Sequence, residues 1–294
     1  MAASESSSRP RPALEAAGVR PSKSRGQNFL TSAAVAERIV AAAELEASDD
    51  VIEIGPGLGI LTERIAARPH RQLTLIELDA RLASRLRDKF AGDGSVRVIN
   101  ADFLEADAAE IFATPMTKVI GNLPFNVAAA ILRRLSETSN RISRMVLMFQ
   151  REVAARIRAR AGDDQYSALS VYTAMYWEID LHFVVAAGSF HPRPKVNAEV
   201  LRFRPRRAES KLFAADEEQA VLSVVRASFS APRKTIRNSL AHGLALDAEK
   251  IASALGAAGI KPDARAETLG VGDFVRLARA LGSELRSRFL IQGA

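Results

Sequence analysis

From Thr31 onward the apolar positions change period repeatedly, between helical spacing and the continuous runs of buried strands. Ser32 can cap a helix whose positions Val35, Ile39 and Val40 follow helical spacing. Residues 51–54 predict a buried strand, 60–67 a helix and 73–76 a second strand. Helix 81–90 and strand 96–99 follow, then strand 118–120, helix 127–135, strand 145–149 and helix 151–160. Strands separated by helices predict parallel βαβ units, so the fold class is α/β with both faces of the sheet covered. After a helix over 168–177 the rhythm changes. Residues 181–185 and 199–203 both predict strands, with a proline-containing turn between them, and an antiparallel pair here would close the sheet. From about Phe213 only helical spacing is found, as in 217–228 and 271–281, which predicts a small C-terminal all-helical domain. No internal repeat is present. The Ser-, Pro- and Arg-rich residues 1–22 lack periodicity and are expected to form a flexible tail. The expected division is a tail over 1–22, an α/β domain over 23–206 and a helical domain over 207–294.

Composition narrows the chemistry. With no cysteine among 294 residues there is no disulfide, thiolate metal site or catalytic thiol. His70, His182, His191 and His242 are scattered without ligand spacing, so no metal is expected. No stretch has the length and apolarity of a membrane helix, and the amino-terminal residues lack the apolar core of a secretory signal. Glu5 and Glu15 argue against an organelle transit peptide, and a cytoplasmic protein is expected.

The net charge is +7 and unevenly spread. Residues 31–180 carry 18 basic and 21 acidic side chains, whereas residues 181–294 carry 18 and 11. The excess is sharpest over 193–237, with eleven basic and five acidic residues, and a second run over 141–160 has six arginines against Glu152. Each run alone could be a solvated face; two of them beside a near-neutral core fit a footprint for a polyanion.

Three motifs follow successive strands. Glu53-Ile-Gly55-Pro-Gly57-Leu-Gly59 ends the first strand and opens a helix, where glycines let a ligand approach the backbone closely. A dinucleotide fingerprint places its third glycine where this chain has Ile60, so the spacing is the G-x-G-x-G of S-adenosylmethionine methyltransferases. A tight turn without a ligand is the alternative. Glu77 ends the second strand, where a carboxylate can accept both hydroxyls of a ribose. Asp102 follows the third strand and can accept from an exocyclic amine or cap the next helix. Asn122-Leu-Pro-Phe125 follows the fourth. The side-chain oxygen of Asn122 and the carbonyl of Leu123 can accept both protons of an aromatic amine, turning its nitrogen towards sp³ and exposing the lone pair. Pro124 stiffens the turn and Phe125 can stack on an extracted base. Read alone, the tetrapeptide is a turn ending a strand; after the glycine turn and Glu77 the catalytic reading is preferred.

The chain resembles the rRNA adenine N6-dimethyltransferases. Gly26-Gln-Asn-Phe-Leu30, the glycine turn, Ile76-Glu-Leu-Asp79, Asn122–Phe125, Met148-Phe-Gln-Arg-Glu-Val-Ala154 and Phe190-His-Pro-Arg-Pro-Lys-Val196 occur in that family's order. Arg233-Lys-Thr-Ile-Arg-Asn-Ser-Leu240 and Arg265-Ala-Glu-Thr-Leu269 extend the likeness into the helical tail, which looks like the KsgA-type small-subunit (16S) branch. The resemblance implies a Rossmann-like methyltransferase sheet and S-adenosyl-L-methionine as cofactor. It implies that Asn28, Leu30 and Gly55 contact the cofactor, that Glu77 holds its ribose and Asp102 its adenine, and that Asn122 sits at the methyl group. Phe190 would be a second aromatic wall for the target adenine. Apart from the resemblance, Arg226, Arg233, Lys234 and Arg237 are the only charged side chains of residues 221–237 and are expected to bind RNA phosphates, the alternative being that Arg233 and Lys234 merely solvate a helix end. The implied product is a pair of adjacent N6,N6-dimethyladenosines near the 3′ end of small-subunit rRNA, made by a monomer acting on an assembling ribosomal subunit.

Phe125 stands where many members have Tyr, Ala198 where Ser is common and Ala266 where Pro is common. None of these touches the transfer step. The competing readings are a non-catalytic ribosome-assembly or mitochondrial transcription factor on the same scaffold, and a large-subunit rRNA methyltransferase conferring antibiotic resistance. A nicotinamide dehydrogenase is disfavoured by Ile60.

Overall fold

Near-continuous apolar runs bounded by glycine, proline and acidic residues become the strands of a central sheet in the computed structural model, which describes residues 27–124, 126–206, 212–231, 233–282 and 285. In chain order the elements are β1 (Phe29–Leu30), α1 (Ala33–Ala41), β2 (Asp50–Ile54), α2 (Ile60–Ala66), β3 (Gln72–Glu77), α3 (Ala80–Lys89) and β4 (Val96–Asn100). Then come α4 (Ala108–Ile111), β5 (Thr117–Asn122), α5 (Ala128–Glu137), β6 (Ile142–Gln150), α6 (Arg151–Arg158), α7 (Ala168–Tyr176), β7 (Trp177–Val185), β8 (Phe190–His191) and β9 (Ala198–Pro205). Among the described residues the α-helices that follow are α8 (Glu218–Ser228), α9 (Ile236–Leu244), α10 (Ala248–Ala257) and α11 (Val271–Ala280).

The seven-stranded sheet has the order β4-β3-β2-β5-β6-β9-β7. Strands β2 to β6 are parallel, and β9 runs antiparallel to β6 from Met145↔Phe203 to Gln150↔Ala198. The predicted parallel sheet with a reversed pair at its end is therefore found. Because β3 lies on one side of β2 and β5 on the other, the topology switches at β2, and the crevice at the carboxyl ends of β2 and β5 is where open α/β sheets take ligands. Register makes this concrete: Ile54 pairs with both Ile76 and Gly121, and Glu77 pairs with Asn100. Gly55, Glu77, Asn100 and Asn122 thus come to one edge. The core of this unit joins α1 residues Ala36, Ile39 and Val40 to strand residues such as Val51, Leu73, Leu75 and Ile120, all essentially buried.

The chain forms two compact units. One comprises the residues up to Ala154 with Glu178–Pro205; the other comprises Ala155–Trp177 and the residues from Arg206. The expected domain over 23–206 is thus interrupted, because 155–177 go with the C-terminal helices. The physical reason is in the hydrogen bonds of that segment. The Gly162 N–H donates to the Glu267 carbonyl, the Tyr166 hydroxyl to the Leu269 carbonyl at 2.8 Å, and the Tyr176 hydroxyl to Glu218 at 2.6 Å. Within this unit α8 and α9 approach so closely that a Cβ on Gly243 would lie 2.6 Å from the Ala227 Cα. The tail 1–22, Arg207 and Phe125 lie outside the described residues.

Candidate active site

The turn after β2 is shaped by left-handed backbone at Gly55 (φ +66°) and Gly57 (φ +58°), a conformation costly for any residue with a Cβ. A Cβ on Gly57 would also meet the Phe29 ring at 3.1 Å, whereas at Gly55 it would project into open space. The turn is braced from the end of the neighbouring strand β3. Gly55 N–H donates to the Ile76 carbonyl, and Gly57 N–H donates to Oε2 of Glu77 at 3.0 Å. The other Glu77 oxygen accepts from the Asp79 N–H at 2.9 Å. Glu77 is 5% exposed, and burial pushes its pKa above the ordinary carboxylate value while those N–H groups pull the other way. Asn100, which the motif reading passed over, donates to the carbonyls of Glu77 and Leu78 and fixes the strand end that carries Glu77.

Beneath the glycine turn lies a second buried acid. Glu53 is 1% exposed, accepts from the Thr62 hydroxyl at 2.7 Å, and is held at a pKa of about 8 by desolvation.

Two cavities sit side by side at this edge and share Gln27, Gly55, Glu77 and Pro124. The first, of about 80 Å³, is lined by Asn28, Leu30, Glu53 and Asn122 among others. The second, of about 180 Å³, has apolar walls from Leu78, Phe103, Leu104, Val127 and Ile131, with Glu77, Asp79 and Asp102 as its charged groups. A polar lobe and an apolar lobe joined at a carboxylate match an amino-acid chain and a purine joined by a ribose. The lining therefore fits S-adenosylmethionine. Asp102 does not cap the next helix, which is capped instead by Asp107. The Asp102 Oδ1 accepts from the Leu104 N–H at 2.8 Å and so builds a turn, and the residue lines the apolar lobe.

Asn122 is the last residue of β5. Its Nδ2 donates to the Asn28 carbonyl at 3.0 Å, which fixes the amide orientation and leaves Oδ1 to accept. Gly121 before it is also required: a Cβ there would lie 3.1 Å from the Ile54 carbonyl oxygen and 3.0 Å from Leu123. Leu123 is buried, and Pro124 lines both lobes. Asn28 and Leu30 reach the site because β1 pairs antiparallel with β8, Phe29↔His191 and Leu30↔Phe190. That pairing also changes the picture of Phe190. Its ring is 4% exposed and belongs to the core cluster with Leu30, and it lines neither lobe. As the structure stands, Phe190 anchors the β1 segment rather than presenting a free aromatic wall.

In the second unit Arg226, Arg233, Lys234 and Arg237 are all exposed, and none forms an ion pair among the described residues. The arginine run over 141–160 is partly structural instead. Arg141 donates to the Phe112 carbonyl at 2.7 Å, and Arg144 pairs with Glu44 at 2.5 Å. Among the described residues no cluster could hold a metal ion, and no helix is long and apolar enough to cross a membrane.

Comparison with known proteins agrees with this geometry. A Ribosomal RNA small subunit methyltransferase A from Geobacter sulfurreducens is 40% identical over 268 residues, 90% of this chain and 96% of the relative. The protein of the same name from Moorella thermoacetica is 40% identical over 273 residues, 90% of this chain and 93% of the relative. Among solved structures, a dimethyladenosine transferase from Plasmodium falciparum shares the fold with a TM-score of 0.72 at 23% identity, covering 87% of this chain and 98% of that one. The 23S rRNA methyltransferase ErmE gives a TM-score of 0.64 at 31% identity, covering 87% and 100%. Residues 19–282 match the family described as Ribosomal RNA adenine dimethylase. That span contains the glycine turn, Glu77, Asp102 and the Asn122 loop as well as the helices of the second unit, and the chain belongs to the ribosomal RNA adenine dimethylase family.

Proposed function

We infer that the protein transfers methyl groups from S-adenosylmethionine to the N6 amines of two adjacent adenines near the 3′ end of small-subunit rRNA. The observation that carries the mechanism is the hydrogen bond from Asn122 Nδ2 to the Asn28 carbonyl, because it commits Oδ1 to accepting a proton from the target amine. The Leu123 carbonyl accepts the second proton, so the nitrogen lone pair leaves conjugation with the ring. The cofactor supplies an activated methyl sulfonium. Glu77 and Asp102 orient it through ribose and adenine, and Asn28, Leu30 and Gly55 bound its methionine end. Pro124 holds the loop, and Phe125, by its type, is assigned to stacking on the flipped base. No general base has to act before attack, since the amine proton can leave once the methyl group has moved.

The exposed Arg233, Lys234 and Arg237 are assigned to the RNA backbone, which fits phosphate contacts that position without reading sequence. We assign the protein to the cytoplasm, as a monomer acting on an assembling small subunit. Small-subunit rRNA is preferred over large-subunit rRNA because the relatives covering nine-tenths of this chain are named for the small subunit.

The test is methyl transfer by the purified protein to immature small and large ribosomal subunits, read by mass spectrometry of rRNA fragments. Two neighbouring dimethyladenosines in small-subunit rRNA are expected. Modification confined to the large subunit, or binding without transfer, would overturn the assignment.

A further inference from the structure

Arg134 lies on α5, the helix that follows the Asn122 loop, and its guanidinium is spent on the turn that carries Asp102. It donates to the carbonyls of Leu104 and Ala106 and lies 5.6 Å from the centroid of the Phe103 ring. Those carbonyls belong to a turn already closed from inside. The N–H groups of Glu105 and Ala106 donate to the Asp102 carbonyl, and the Leu104 N–H donates to the Asp102 side chain. The turn's own hydrogen bonds fix its shape, and Arg134 fixes where it sits.

Helical spacing makes the connection specific. Val127, Ile131 and Arg134 stand at i, i+4 and i+7, so one face of α5 forms a wall of the apolar lobe and then clamps the loop opposite. The Arg134 Nε is buried without a hydrogen-bond partner, a cost that the two carbonyl contacts and the ring contact have to offset. A lysine could reach one carbonyl but could not bridge two and lie over Phe103.

We propose that Arg134 is a positioning residue for cofactor selection: by holding the Asp102 turn against α5, it sets the carboxylate to accept from the exocyclic amine of adenine. The proposal rests on the reading of the apolar lobe as the adenine site. It assigns to this arginine a share of the discrimination between a 6-amino purine, which donates to Asp102, and a 6-oxo purine, which presents an oxygen to it.

The experiment measures calorimetric affinities of S-adenosylhomocysteine and its inosine counterpart for wild type, Arg134→Ala, Arg134→Lys, Asp102→Ala and the variant carrying both Arg134→Ala and Asp102→Ala. Wild type should prefer the adenine ligand by about ten-fold or more, and Arg134→Ala should lose most of that preference, with Arg134→Lys between them. The Arg134→Ala change should add little on top of Asp102→Ala, since both act through one carboxylate. A merely structural arginine would weaken both ligands in parallel, and an undiminished adenine preference in Arg134→Ala and Arg134→Lys would overturn the proposal alone. Wild type that binds neither ligand, or binds both equally, would instead remove the adenine reading on which it rests. If Arg134→Ala fails to fold, the lysine variant decides by the same ratio.

Discussion

The side-chain nitrogen of Asn122 is hydrogen-bonded to the main-chain carbonyl of Asn28 at 3.0 Å, across almost a hundred residues of sequence. A single amide thereby ties the β1 segment to the cleft through its nitrogen and leaves its oxygen as an acceptor. The same contact removes the ambiguity of an amide that could point either way.

Asn122→Ala should lower the rate of methyl transfer by about a hundred-fold or more, because the lost oxygen acts on the amine in the transition state. Cofactor affinity should change by only a few fold. Single-turnover transfer and calorimetry separate the two, and near-normal turnover would sink the assigned role.

Glu53 makes stability fall as pH rises. Its folded pKa of about 8 lies above the ordinary 4.5, so between those values the unfolded chain has released a proton that the folded chain still holds. Stability contributed by the neutral carboxyl is complete below the lower value and is lost, at about 1.4 kcal/mol per pH unit, as pH climbs towards the upper one. Glu53→Gln keeps an acceptor for Thr62 and cannot ionise. Its Tm should match wild type near the acid end of that window and exceed it increasingly towards pH 8. Parallel Tm curves for the two proteins would contradict this.

Gly243→Ala should destabilise the helical unit by about 1–3 kcal/mol, the range for overpacking a tight contact. The added Cβ would sit 2.7 Å from that of Ala227, and backbone lies behind it, so α8 and α9 have to separate. Trp177 is the chain's single tryptophan, is buried, and falls in this unit, so its fluorescence reports the change directly. The denaturant midpoint should move down; an unmoved midpoint would mean that the helices yield without cost.

Replacing Arg226, Arg233, Lys234 and Arg237 together by Ala should weaken binding to small ribosomal subunits and flatten its salt dependence. Each lost phosphate contact reduces the log–log slope by about 0.7–0.9. Filter binding over a salt series measures it, and an unchanged slope would put the RNA footprint elsewhere.

Much of the sheet could be read from sequence because its buried strands are apolar on both faces and separated by helices of ordinary length. The site was legible for a related reason: Gly55, Glu77, Asp102 and Asn122 each follow a strand, and parallel strands bring their carboxyl ends together. What escaped was set by pairing rather than by pattern. Strands β1 and β8 are two residues each, too short to show a period, and exist because Leu30 meets Phe190. Phe190 resembled a substrate-facing aromatic until that pairing placed its ring in the core. Helix α7 was expected over 168–177, but its spacing could not say that its segment, tied through Tyr166 and Tyr176, would join the C-terminal helices. Arg134 read as one more charge on a helix, since nothing local marks two carbonyls thirty residues earlier.

The two-stranded ribbon of β1 and β8 also has a bearing on the order of assembly. A chain leaving the ribosome has already exposed the glycine turn, Glu77 and Asn122 while Phe190 is still to be added. Until then Leu30 has no strand partner, and the β1 segment is held without its ribbon, by contacts such as that of Asn122 with Asn28. The end of the cleft lined by Asn28 and Leu30 is therefore among the last parts of its unit to be completed during synthesis, and an unfinished chain lacks the wall that the finished protein has there.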